Sequence, residues 1–406
     1  MDPSVQFCPN LACSARGQRG QGHIRIHCHK RQRYRCRTCG QTFSARRGTL
    51  FEGLRSPTEL VVIVVTLLAF GCPVQAMVQA YGLDERTVAS WRDRAGAQCQ
   101  RVHQAIVVQA GLDLLHVQAD EIRVKARSLV AWMGLAMMVS TRLWLGGVVS
   151  QTRDMQLADR LLQQVRACCL AAREVLICTD GWAAYPNSIR RAFRDKVKRT
   201  AGRGRAALQV WSGLHIGTVI KHTVNKRLRE VVRHMSHGSL NQALRLLQRS
   251  AGGQMLNTSF IERFNGTMRE RLATLTRKCR HAAQRLQALE MGMYLVGSTY
   301  NFCCAHQALE QRTGPEAPGR QRQTPAMASG LTEHLWSMQE LLQYQVAPPP
   351  WSEPKRRGRP RTRPLPDLNV PKRSRGRPRT RPVADPFLPK RRRGRPRKVP
   401  LNPFTV

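Results

Sequence analysis

Three carboxylates stand out in a stretch of chain that is otherwise poor in acids: Asp120, Asp180 and Glu262, within residues 106–310. Asp120 follows the strand-like run LLHVQA. Asp180 ends the strand-like VLICTD and precedes Gly181-Trp182. Glu262 lies in TSFIERFNGTMRERLATL, which has helical periodicity. Carboxylates at two strand ends and on a packed helix can converge on one point. Converging negative charges stay ionised only with cations between them. Carboxylate oxygens are the usual protein ligands of Mg2+, which also binds phosphate oxygens. Two such ions (Mg2+ or Mn2+) can activate an attacking oxygen and stabilise a leaving one in phosphodiester displacement.

Each acid also has a plainer reading. Asp120 can be a strand-end turn former, and Glu121 beside it competes for the role. Neighbouring strand residues point to opposite faces, so only one of the pair is expected in the site. Asp180-Gly181 can be only a turn. Ser259-x-x-Glu262 fits a capping box, in which the glutamate reaches back to a backbone N–H. On the same predicted helix, Ile261, Phe264, Met268 and Leu275 make an apolar seam. Glu262, Asn265 and Arg269, at i, i+3 and i+7, form an adjoining face expected to touch both metal and DNA. Arg263 and Arg271 are further candidates for holding phosphates.

A second set of ligands sits near the start. Cys8-x4-Cys13 and Cys36-x2-Cys39 are two close cysteine pairs with arginines around them. Four thiolates on two knuckles match one tetrahedral Zn2+, and so small a unit needs the metal to fold. Cys28, His27 and His29 lie between the pairs; one of them can replace a ligand, but they read first as spare polar residues in a basic loop. The chain's 13 cysteines, without a secretory signal pattern, read as reduced thiols and metal ligands.

The elements that follow position these groups. Ser56 and Pro57 are placed to start a helix running to Phe70. Pro73–Ala80 gives a second helix, and Tyr81-Gly82-Leu83 a turn. Asp84 then caps a third helix, from Glu85 to about Gly96. This is the pattern of a helix-turn-helix, with Arg86, Thr87 and Ser90 facing bases and Val88 and Trp91 packing inward. An ordinary three-helix bundle is the alternative. Residues 112–224 then read as three strands, a helix and another strand, an α/β layering. Residues 225–309 read as mostly helical.

From Pro348 onward the chain is rich in proline and arginine and is expected to be disordered when free. Arg357-Gly358-Arg359-Pro360-Arg361 recurs at 375–379 and at 393–397, with a period of 18 residues. The repeats resemble AT-hooks. Glycine lets the backbone approach the groove floor and proline keeps it extended. Arg359, Arg361, Arg377, Arg379, Arg395 and Arg397 then enter the narrow minor groove of A·T-rich DNA. Three copies raise effective concentration.

Charge agrees with a polyanionic partner. The net charge is +42. Residues 355–398 hold 19 Lys/Arg against Asp367 and Asp385, a net of +17, so the remaining +25 lies outside the tail. The 42% of apolar residues excludes a wholly disordered basic protein. The apolar run Leu60–Phe70 is too short for a membrane span. The expected setting is the cytoplasm.

CRTCGQTFS, the helix-turn-helix with TVASW, HVQADEI, TDGWAAYP, NTSFIERFNGTMRERLATLTRK and MYLVGSTYNFCCAHQAL occur in this order over roughly residues 8–309. On these stretches the chain resembles bacterial insertion-sequence transposases of the DDE superfamily, most of all the insertion-sequence-one type. The resemblance implies a ribonuclease-H-like α/β core, a mixed sheet with flanking helices, with Asp120, Asp180 and Glu262 as its metal-binding catalytic triad. It implies cleavage at element ends and attack of the freed 3′-hydroxyl on target DNA, by a homo-oligomer on double-stranded DNA. Arg123 departs from many relatives, which carry an aromatic residue there. The tail repeats lie outside the family's core pattern.

The expected organisation is a zinc ribbon (1–50), a helix-turn-helix domain (56–108), a catalytic domain (112–309), a linker with a short helix (310–350) and a basic tail (351–406). The rivals are a nuclease without joining activity and a non-catalytic DNA-binding regulator or architectural protein.

Overall fold

A computed structural model describes residues 1–125, 130–171, 173–197, 206–225, 227–275, 285–312 and 320–353. The three tail repeats and their arginines lie outside the described residues. The N-terminal segment folds as a small antiparallel sheet of β1 (Ile24–Cys28), β2 (Arg33–Cys36) and β3 (Thr42–Ser44). Its core is Cys8, Cys13, Ala15, Ile24, Tyr34, Cys36 and Phe43.

Helix α1 (Thr58–Ala69) takes the long apolar run. Pro57 precedes it in extended geometry, and Ser56 does not cap it. Helix α2 (Val74–Tyr81) ends on Gly82, whose φ of 61° is the left-handed conformation glycine tolerates. Asp84 caps α3 (Glu85–His103) by accepting from the N–H groups of Arg86 and Thr87.

Helix α3 passes straight through Gly96, where the sequence predicts its end. Gly96 is a close-approach point: a methyl carbon there would lie 2.3 Å from the Met291 carbonyl oxygen on α8 (Leu286–Cys303). Gly96→Ala is therefore expected to force the two helices apart and destabilise the protein by about 1–3 kcal/mol. Thermal unfolding followed by circular dichroism checks this, with a fall of several degrees as the outcome.

The main sheet begins with a meander of three antiparallel strands: β4 (Leu115–Lys125), β5 (Val130–Met138) and β6 (Trp144–Ser150). Helix α4 (Met155–Cys168) then crosses to β7 (Val175–Asp180), which pairs parallel to β4. Helix α5 (Ala184–Ala192) and a small hairpin, β8 (Arg194–Val197) with β9 (Ala207–Val210), lead to β10 (Leu214–Val224), parallel to β7. The edge strand β11 (Arg227–His237) pairs antiparallel to β10. The sheet order is β11-β10-β7-β4-β5-β6.

Residues 227–237 are thus strand, where the sequence predicts helix. From Leu240 the chain is mainly helical: α6 (Leu240–Arg249), α7 (Ser259–Arg271) and α8. One sheet face carries α4, with Leu157 and Leu161 beside Gly134. The other carries α6, α7 and α8, with Met293 beside Gly147.

One apolar core runs from Leu50 through α1, α3, the sheet and α8 to Leu342. The second half of the expected linker joins it through α9 (Pro325–Ala328) and α10 (Met338–Gln343). Trp336 stacks between Phe302 and Tyr344, with centroids 4.9 and 5.1 Å away. Those aromatic and leucine side chains give residues 325–346 surface to bury, which a free linker lacks. Among the described residues no helix is long and apolar enough to cross a membrane.

A candidate metal-binding carboxylate centre and a four-cysteine cluster

The parallel pairing of β4 with β7 sets the centre. Ala119 is level with Thr179, and there the pairing stops. Asp120 and Asp180 follow at the carboxyl ends of the paired segments, so their side chains emerge side by side. Oxygens of Asp120, Glu121 and Asp180 all lie within 4.8 Å of one another. Glu121 thus joins the centre, against the expectation that only one of Asp120 and Glu121 can. The two faces of β4 are separated only while β7 lies alongside. Beyond its end the longer glutamate side chain reaches round from the α4 face.

Each acid is held by named donors. Asp120 accepts from the Glu121 N–H at 2.8 Å and from Asn265 Nδ2 at 2.8 Å. Glu121 has a side chain only 3% exposed. It accepts from Tyr185 Oη at 2.8 Å and from Arg153 Nε at 2.6 Å. Asp180 accepts from the Trp182 N–H at 3.1 Å and lies 3.6 Å from Arg153. Burial, followed by the charges of Glu121 and Asp180, pushes the Asp120 carboxyl up to about 7. Glu121 is raised by burial and by Asp180, against Tyr185 and Arg153. Burial and the adjoining carboxylates raise the Tyr185 phenol well above its ordinary value, so it stays a donor.

Glu262 sits next to this group and outside it. Its charge adds to the field on Asp120. Its carboxylate accepts from Lys221 Nζ and Thr258 Oγ1, and its side chain is 42% exposed. The capping box is absent: Glu262 does not bond the helix's first N–H groups. Gln118, fully buried on β4, does so. Its Oε1 accepts from the N–H groups of Phe260 and Ile261 at 3.0 and 3.1 Å, and its Nε2 donates to Asn257. One strand side chain thus docks the start of α7 two residues before Asp120, and Glu262 takes no part in that docking.

Asn265 is buried against Asp120 and faces the carboxylates, the metal side of the face expected for it. Its Oδ1 is buried without a partner. Arg263 and Arg269 are exposed on α7. Arg271 is tied to Cys304 Sγ and lies over the Phe70 ring. The seam Ile261, Phe264 and Met268 is buried as predicted, and Leu275 follows in a short 3-10 turn.

The centre suits a divalent cation on its chemistry: hard oxygen donors, mutual repulsion raising Asp120, and an orphaned amide oxygen beside them. The four cysteines form the other group. Sγ atoms of Cys8, Cys13, Cys36 and Cys39 gather within 4.8 Å, with Cys8–Cys39 at 3.6 Å and Cys13–Cys36 at 3.9 Å. Sulfurs of a tetrahedral ion bound at about 2.3 Å lie about 3.8 Å apart. Cys28 is outside this group. Burial raises the Cys8 and Cys13 thiols. At the start of α3, Arg86 and Ser90 are exposed and Thr87 is half-buried, while Val88 and Trp91 are buried.

No family model matches the chain, and no curated protein matches it.

Sequence reasoning admits Glu121 only as a rival to Asp120, and it passes over Gln118, Arg153 and Lys221. Gln118 carried a signal, a polar residue inside an apolar strand run. The two cations carried none.

Proposed function

We propose that this chain is a DNA transposase that cleaves element ends and transfers the 3′-hydroxyl into target DNA, using a metal-dependent ribonuclease-H-like centre. The observation that carries the reading is the convergence of Asp120, Glu121 and Asp180 just past the point where the parallel pairing of β4 with β7 stops, in a strongly basic chain. Within the six-stranded sheet, the three-strand meander extended by the two parallel strands β7 and β10, with β11 added at the edge, supports the ribonuclease-H-like assignment.

Asp120, Glu121 and Asp180, with Glu262 beside them, would hold Mg2+ or Mn2+, which activates the attacking oxygen and neutralises phosphate charge. Asn265 and the Glu121 N–H fix the two Asp120 oxygens, and Tyr185 fixes Glu121, so the acids are placed before substrate arrives. Exposed Arg263 and Arg269 on α7 are placed to hold backbone phosphates. The four-cysteine sheet, read as a zinc ribbon, and the exposed start of α3 serve to dock DNA, with Arg86, Thr87 and Ser90 toward bases. The tail repeats serve as a minor-groove clamp. A homo-oligomer holding two DNA ends belongs to the same reading.

The test uses DNA carrying the sequences that flank the gene. With Mg2+ the protein is expected to cut at the element ends and to join pre-cut 3′ ends to a target plasmid, both read on gels. Cutting without joining assigns a nuclease. Binding without either assigns a regulator.

A further inference from the structure

Two cations of this chain already sit in the carboxylate centre. Lys221 pairs with Glu262. Arg153, in the loop between β6 and α4, is placed more centrally. It bonds Glu121 Oε1 through Nε at 2.6 Å and through a terminal nitrogen, and it lies 3.6 Å from Asp180 Oδ2. Its guanidinium lies 5.2 Å from the Trp132 ring centroid and 4.6 Å from that of Trp182. Two indoles and two carboxylates therefore cradle one side chain that is still 34% exposed.

That placement conflicts with an occupied metal site. Asp120, Glu121, Asp180 and Glu262 carry four formal negative charges, and Arg153 and Lys221 offset two. A divalent ion bound by Glu121 and Asp180 takes the oxygens that Arg153 now uses and repels the guanidinium at close range. The backbone beyond is pinned, because Asp154 caps α4 by accepting from the Leu157 N–H at 3.0 Å. The side chain is the part left to turn. The indoles favour a cation nearby even without the carboxylates, so a displaced guanidinium stays at the rim of the centre. A phosphodiester entering there is the complementary charge, and guanidinium pairs with phosphate in a fork.

We propose that Arg153 is a resident counter-ion that neutralises Glu121 and Asp180 until a divalent ion binds, and then turns to a DNA phosphate. Metal loading and DNA grip are thereby coupled through one side chain. This rests on the reading of the carboxylates as divalent-ion ligands. Arg153 acts as a positioning residue, since it competes with the ion for its ligands before it meets substrate.

The experiment titrates Mn2+ into full-length zinc-loaded protein and reads free Mn2+ by electron paramagnetic resonance. Arg153→Gln is expected to bind Mn2+ about tenfold more tightly than the wild type, since a competing charge is gone. Duplex affinity is then measured against salt, with and without Ca2+, another hard ion for oxygen ligands. With Ca2+ the variant's salt slope is expected to fall by about 0.9, the loss of one phosphate contact. Without Ca2+ the slopes are expected to coincide. Arg153→Lys, which keeps the charge, should restore most of both behaviours and controls for folding. Equal or weaker Mn2+ binding by Arg153→Gln overturns the proposal and leaves the metal site standing. Absence of bound Mn2+ in both proteins removes the metal site itself, and the proposal with it.

Discussion

Asp120→Asn is expected to lower metal-dependent DNA cleavage by roughly 10³-fold or more while leaving duplex binding unchanged. Metal ions supply several kcal/mol of charge stabilisation to phosphoryl displacement, and each 1.36 kcal/mol is about tenfold in rate. Asp120 lies at the middle of the carboxylate group, with Glu121 beside it, Asp180 across from it and Asn265 on its second oxygen. The surfaces proposed to dock DNA, α3 and the cysteine sheet, are built from other elements, so binding should survive. Gel-based cleavage and an anisotropy titration on the same DNA check the two halves.

The same substitution should raise the melting temperature of the divalent-ion-free protein by a few degrees. Asp120's carboxyl is pushed from 3.8 to about 7. An acid with a raised folded pKa holds more protons folded than unfolded, so stability is lost as pH rises from about 4 to about 7. At pH 8 the charge is fully present and costs at most about 4 kcal/mol. Asparagine keeps the shape and removes the charge, though it loses one of two acceptors. Mg2+ should stabilise the wild type and do little for the variant. A variant that cuts DNA at the wild-type rate would sink the assignment of Asp120.

The sequence pattern was informative where local periodicity and tertiary demand agree. Apolar strand runs and the cap at Asp84 give β4 to β7 and the start of α3 in their observed order. It misled where they part. Leu228, Val231, Val232 and Met235 fall at i, i+3, i+4 and i+7, a helical face, yet they lie in β11. Pairing with β10 overrides the local pattern there, and its β-branched valines fit a strand. Glu121 was misjudged because the two-face rule assumes a strand flanked on both sides. Glu262 was offered as a cap because Ser259-x-x-Glu262 is a local signal. The actual cap, Gln118, is distant in sequence and visible only once β4 and α7 are packed. Arg153 is likewise a long-range partner, brought to Glu121 by the turn from β6 into α4.

If the four cysteines hold Zn2+ as proposed, removing it, or Cys36→Ser, is expected to unfold the first ~48 residues and leave the main body folded. The N-terminal segment buries few apolar side chains apart from its cysteines: Phe7, Ala15, Ile24, Tyr34 and Phe43. Such a core cannot offset the conformational entropy of ordering its chain, whereas a structural Zn2+ contributes an apparent ~10–16 kcal/mol. Leu50 and Phe51 already belong to the main core, and the Leu50 N–H donates to the Leu342 carbonyl, so unfolding should stop there. Polar links across that boundary will not hold the sheet. Arg16 bonds the Pro349 carbonyl at 2.8 Å and Arg19 the Gln345 carbonyl at 2.8 Å, both at the surface. Zinc binding must also displace protons from thiols that burial raises at Cys8 and Cys13, so affinity should fall as pH is lowered. The expected measurements are one zinc per chain and, on chelation, alkylation of all four cysteines. The cleavage that chelation adds should be confined to the N-terminal segment, with the circular dichroism of the helices and main sheet retained. Full protection of Cys8 and Cys36 in metal-free protein would show that packing alone holds the sheet together.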